Sequence, residues 1–222
     1  MDNIDLKDHN INLKCVLLGN SGVGKSSILN SYLHGSIDEV GQTTLGAVFW
    51  KIKHNFDFKN WNNETQNLDF VNIKLSIDVW DTAGQERFSG LIPMYTRGVD
   101  LAILVFDLND KSSFERIKYW KNLVLKTSEN ALFVLVGNKE DMSKVKGPNR
   151  GEINTLVLNE FEEDNFFYTS AKKGTRILDL FLRVFKLLEP KAIFKFRNKD
   201  KIKRKVLLEI KPVDNEKNNC CF

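Results

Sequence analysis

At 222 residues and 42% hydrophobic content, the chain is long enough for one sizeable domain plus an extension, and no stretch holds the roughly 18 apolar residues that a membrane-spanning helix needs. The net charge of +4 is uneven: residues 191–222 carry +6 and the rest −2, so the basic balance belongs to the tail and nucleic-acid binding by the folded part is not indicated. Cys15, Cys220 and Cys221 have no spacing that suits a disulfide framework or a zinc site, which points to a reducing compartment. Met1 to Asn12 is polar, with neither an apolar signal segment nor a glycine at position 2, so neither a secretory leader nor N-myristoylation is expected.

In chain order, Leu13 to Leu18 reads as a short buried strand and Ser26 to Leu33 as a helix. Between them Gly19-Asn20-Ser21-Gly22-Val23-Gly24-Lys25-Ser26-Ser27 matches a phosphate-binding loop. Glycines let the backbone approach a polyphosphate, and successive N–H groups with the helix start supply positive partial charge. Lys25 is placed to reach the outer phosphates, and the Ser26 hydroxyl to ligate a magnesium ion. A polar segment from Gly35 to Gly46 reads as loop, and Ala47 to Phe58 as a strand. Residues 54–72 hold six asparagines and a lone Trp61, and read as an expanded, poorly ordered hairpin loop.

Ile73 to Trp80 alternates, placing Ile73, Leu75, Ile77 and Val79 toward a core. Leu101 to Phe106 and Ala131 to Val136 are continuous apolar runs, the pattern of parallel strands covered on both faces. A capping box from Ser112 to Glu115 opens a helix whose buried stripe is Phe114, Ile117, Trp120 and Val124. Asn149 to Phe161 is a further helix, Asn165 to Thr169 a last short strand, and Arg176 to Leu188 an amphipathic helix ended by Pro190. The expected fold is α/β: a doubly wound, mostly parallel six-stranded sheet with helices on both faces and a ligand at the strand C-termini. It spans residues 1–190, with 191–222 as a tail.

Four further segments stand at or beside strand ends. Asp81 follows the third strand, where a P-loop protein holds magnesium; Gly84 can offer an N–H to a terminal phosphate, and Gln85 can orient an attacking water. Thr44 is placed to close the metal shell from the other side. Asn138-Lys139-Glu140-Asp141 fits N-K-x-D, whose Asp carboxylate can accept from the N1–H and 2-amino group of guanine, donors that adenine lacks. Ser170-Ala171-Lys172 follows the last strand and can complete the base site.

This combination resembles the Ras-superfamily GTPases over roughly residues 11–190. Leu45-Gly46-Ala47-Val48-Phe49, Trp80 to Phe88, and Pro93-Met94-Tyr95-Thr96-Arg97-Gly98 resemble Rab segments, most of all those of the early-endosomal branch. The resemblance implies a switch that binds GTP with Mg2+ and hydrolyses it to GDP and phosphate, slowly without a GAP, with Gln85 and Lys25 as catalytic residues. It also implies that Phe49, Trp80 and Tyr95 present the switches to effectors.

The implied further partners are an exchange factor, a GDP-dissociation inhibitor and a prenylation escort protein, the last met by Leu208-Glu209-Ile210. Asn219-Cys220-Cys221-Phe222 is not a C-a-a-X box. It resembles Rab termini that carry geranylgeranyl groups on both cysteines, with Lys199 to Lys205 adding attraction to anionic leaflets. The implied location is the cytoplasmic face of endosomal or other vesicular membranes, with a cytosolic pool. Two departures, Ile37 where the family puts an aromatic over guanine and the 54–72 insertion, motivate an alternative: a GTPase-like scaffold that binds nucleotide without turning it over.

Overall fold

A computed structural model describes residues 9–35, 47–62, 66–82, 92–142 and 146–209. Its sheet has six strands: β1 (His9–Leu18), β2 (Ala47–Asn62), β3 (Asn67–Thr82), β4 (Leu101–Asp107), β5 (Leu132–Asn138) and β6 (Phe166–Tyr168). They lie in the order β2-β3-β1-β4-β5-β6, with β2 antiparallel to β3 and every other pairing parallel.

The helices are α1 (Lys25–His34), α2 (Ile92–Thr96), α3 (Lys111–Glu115), α4 (Ile117–Leu125), α5 (Arg150–Glu160) and α6 (Ile177–Glu209). Alternation along each strand divides the core. Ile11, Leu13, Cys15 and Leu17 of β1 face α1 and α6, whereas Val16 and Leu18 face the layer of α2, α4 and α5. This is the expected doubly wound architecture. Its crossovers place the loops at the strand C-termini on one rim.

Three local expectations are corrected. Residues 54–62 and 67–72 are not an irregular loop: β2 and β3 stay paired without a break from Ala47↔Thr82 to Asn62↔Asn67. His54, Phe56 and Phe58 alternate with Asn55, Asp57 and Lys59, and that period of two outweighs the poor strand propensity of asparagine. The last helix does not stop at Pro190. It continues to Glu209, because Ala192 and Phe196 beyond the proline are buried and Lys191 Nζ bonds the carbonyls of Asp100 and Asn130. This packing outweighs the ladder bond that proline cannot make. Finally, the cap of the middle helix is Asp110, whose carboxylate accepts from Ser112 N, and the helix breaks at Arg116 into α3 and α4. The expected stripe survives the break, with Ile117, Trp120 and Val124 buried and Phe114 packed beside them.

The first and second findings meet at one end of the molecule. His54 stacks on Phe185 with ring centroids 4.5 Å apart and bonds Glu189 at 3.0 Å, while Phe58 packs edge-on to Phe196 at 5.6 Å. The long hairpin and the long helix therefore cover each other's apolar faces.

Candidate functional site

The loop from Gly19 to Gly24 joins the buried end of β1 to α1. Gly19 has φ 152°, and a Cβ there would sit 2.1 Å from the Val105 carbonyl oxygen. Gly24 is left-handed at φ 96°, and its Cβ would meet Asn138 Nδ2 at 2.3 Å. Both positions exclude a side chain twice over, by backbone conformation and by space.

Lys25, the first residue of α1, is buried. Its Nζ donates to the carbonyls of Gly19 and Asn20, each at 2.8 Å. These bonds fold the ammonium back over the loop and leave its third donor for an anion. Burial pulls the Lys25 ammonium down to about 8, against the opposing charge of Asp81. An incoming phosphate would restore the charged form.

Asp81 arrives from the end of β3, 55 residues later in the chain, and accepts the Ser26 hydroxyl at 2.5 Å. Burial raises its pKa, while the Ser26 bond and the Lys25 charge oppose that rise. Its other oxygen, Oδ1, is buried and has no hydrogen-bond partner among the described residues. A hydroxyl and a half-satisfied carboxylate facing each other are the donor set of a hard divalent cation, so the residues present fit magnesium. No group of three or more His, Cys, Asp or Glu side chains forms a metal cluster among the described residues. Thr82, next in the chain, donates to Leu17 O at 2.7 Å and fixes the end of β3 against β1.

The base-side segments are bound to the phosphate loop by Asn138. Its Nδ2 donates to Val23 O at 3.0 Å, and its Oδ1 accepts from Thr169 Oγ1 and Ala171 N at 3.2 and 3.1 Å. One buried side chain thus ties the ends of β5 and β6 to the loop after β1. Ser170 Oγ donates to Asp141 Oδ1 at 2.5 Å, orienting the carboxylate. Lys139, at φ 65°, extends to Asp107 Oδ2 at 2.8 Å. Lys172 is exposed on the same turn, and Ser21, Gly22 and Ser27 lie in the phosphate loop and the first turn of α1.

Phe49 and Trp80 pack edge to face at 5.3 Å, and Trp80 meets Tyr95 at 5.6 Å, so the three rings form one contiguous surface. Lys14 braces it from below, its Nζ 5.5 Å over the Trp80 ring and donating to Arg97 O. Thr44, Gly84, Gln85, Ile37, Cys220, Cys221 and Ile210 lie outside the described residues.

Two contributors escaped the sequence reading. Asp107 and Asn109, in the turn after β4, hold Lys139 through its ammonium and its carbonyl. An acid at a strand end was the available signal, the one that identified Asp81. Trp120, read as core, also donates from Nε1 to Asn20 Oδ1 at 3.3 Å and steadies the phosphate loop from α4. That role depends on a contact 100 residues away, which no local pattern reveals.

Comparison with known proteins identifies the family. Residues 14–189 match the family model described as the Ras family. The chain is 35% identical to Ras-related protein RABF2a of Arabidopsis thaliana over 81% of its length and 82% of the relative. It is 34% identical to Ras-related protein Rab-5A of Dictyostelium discoideum over 94% of both chains, and 33% identical to Ras-related protein Rab5 of Nicotiana tabacum over 84% of its length and 85% of the relative. This kinship favours a hydrolysing switch over a permanently loaded scaffold. The chain belongs to the Ras family and is a Rab small GTPase of the early-endosomal branch, a guanine-nucleotide switch of endosomal trafficking.

Proposed function

We propose that the switch is run by the residues on this rim. Backbone N–H groups from Gly19 to Ser27 cradle the phosphates, and Lys25 bridges the outer two. Ser26, Asp81 and Thr44 hold the magnesium ion, which when bound offsets charge on the phosphates. Asn138 and Lys139 organise the base pocket, Asp141 accepts from the guanine edge, and Ser170, Ala171 and Lys172 close it. Gln85 orients the water that attacks the γ-phosphorus, and Gly84 donates to the γ-phosphate. Loss of that phosphate breaks the contacts of Thr44 and Gly84 and so changes the surface around Phe49, Trp80 and Tyr95 that effectors read.

The observation that carries this reading is the meeting of Lys25, Ser26 and the half-satisfied Asp81 beside a loop that excludes side chains. Hydrolysis is slow until a GAP supplies further positive charge at the phosphates. The folded unit runs past Pro190 at least to the buried Phe196, and the segment beyond it serves the membrane. Geranylgeranyl groups on Cys220 and Cys221 anchor the protein, while the escort protein and the GDP-dissociation inhibitor handle the lipidated form.

Identification of the nucleotide released on denaturing purified protein tests the core of this reading. GDP near one equivalent is expected; an empty protein, or one loaded with adenine nucleotide, would sink it. Gln85→Leu should slow single-turnover hydrolysis about tenfold or more, and an unchanged rate would remove Gln85 from its role.

A further inference from the structure

The phosphate loop carries Gly19, Gly22 and Gly24, all at positive φ. Glycine gives the chain these conformations and also leaves it free to abandon them. Such a loop keeps its shape where other groups pin it. Toward α1 it is held by Asn138, whose Nδ2 donates to Val23 O at 3.0 Å. Toward β1 it is held by Trp120, whose indole Nε1–H donates to Asn20 Oδ1 at 3.3 Å from 100 residues away in the chain. The phosphate-loop motif leaves position 20 open to any side chain, so this second hold belongs to the chain and not to the motif.

Three features make it specific. Trp120 is 2% exposed, so its single N–H donor is shielded from water and would be left unsatisfied without Asn20. The ring is fixed from several sides: it sits in the core cluster that includes Val16 and Leu18 of β1, with the Tyr119 ring 5.2 Å away and the Arg116 guanidinium 5.6 Å over it. Finally, Asn20 is bonded through both its parts. Its main-chain carbonyl accepts the Lys25 ammonium at 2.8 Å while its side chain accepts the indole. If Asn20 moves toward solvent the indole bond breaks, and one of the two carbonyls that aim Lys25 moves with it.

We propose that Trp120 is a positioning residue of the nucleotide switch, whose indole N–H holds Asn20 in place and so slows the release of bound nucleotide. This rests on reading residues 19–27 as the phosphate cradle. It gives α4, which touches neither phosphate nor base, a part in setting how long the switch stays loaded.

The test uses the full chain loaded with GDP. Release of radiolabelled GDP into excess unlabelled GDP should be about fivefold faster for Trp120→Phe, which keeps an aromatic ring and removes the donor. Asn20→Ala removes the acceptor and should speed release by about the same factor, and adding Trp120→Phe to Asn20→Ala should change nothing further. In nitrogen-15 spectra of the GDP-bound chain, the Trp120 indole resonance, identified by its loss in Trp120→Phe, should shift in Asn20→Ala. Equal acceleration by Trp120→Phe with and without Asn20 would assign its effect to packing and overturn the proposal. An unchanged release rate in either single variant, or an unmoved indole resonance, overturns it too. Were Trp120→Phe to fail to fold, Asn20→Ala alone decides through its release rate. A parent chain that holds no guanine nucleotide would sink the reading of the rim as well, whereas a loaded parent with unaffected variants sinks only the role of Trp120.

Discussion

The two poles of the molecule are built by different physics. At the nucleotide rim, short segments from five strand ends are held by buried polar atoms: Asn138 makes three bonds, Lys25 two, and Asp81 one with an oxygen to spare. At the opposite pole, two long elements are held mainly by rings, with His54 stacked on Phe185 and Phe58 edge-on to Phe196 between hairpin and helix. Directional polar bonds suit a site that must recognise one ligand and answer to one phosphate. Non-directional apolar packing suits a brace that keeps two extensions together whatever nucleotide is bound.

Substitutions should separate the poles cleanly. Lys25→Ala removes the one buried cation of the phosphate loop and should weaken GDP binding about a thousandfold, roughly 4 kcal/mol, by nucleotide-dissociation kinetics; a loss under tenfold would detach Lys25 from the phosphates. Phe196→Ala should cost about 3 kcal/mol of stability through the cavity it leaves, seen in chemical denaturation, yet leave the GDP dissociation rate unchanged. If that rate moved in step with stability, the poles would be coupled and the contrast drawn above would fail.

Asp141→Asn replaces an acceptor pair with an acceptor and a donor, so guanine affinity should fall about a hundredfold while xanthine nucleotides gain; competition binding reads both. The smallest effect is on pH. In the free protein Lys25 titrates at about 8, below its ordinary 10.5, and phosphate raises it. Below 8 the free lysine is already charged. Above 8 binding must take up a proton, so GDP affinity should decline by about tenfold between pH 7 and pH 9, and a flat profile would mean that the ammonium stays charged without its ligand.

The same contrast explains what was legible in the sequence. The rim announces itself because each segment is a few residues long and its chemistry demands fixed types: glycine where φ is positive, lysine and serine at one spacing, N-K-x-D after an apolar strand. The mostly parallel sheet and its covering on both faces followed from the apolar runs and the alternation of β3. The other pole was hidden because its signals are weak locally and strong only together. His54, Phe56 and Phe58 do alternate, but six asparagines between 54 and 72 argue for a loop until Phe185 and Phe196 are seen to meet His54 and Phe58. Pro190 argues for a helix end until Ala192 and Phe196 are seen to be buried. Each misreading removed the partner that would have corrected the other.

Cys15 has a practical consequence. It is 1% exposed in β1, and burial pushes its thiol up to about 12, so at neutral pH it is closed to alkylating reagents while the sheet is intact. Any maleimide label taken up by the native protein therefore reads positions 220 and 221 alone. The mass added before and after denaturation gives, in one spectrum, the number of tail thiols still unmodified and the fraction of molecules that are folded.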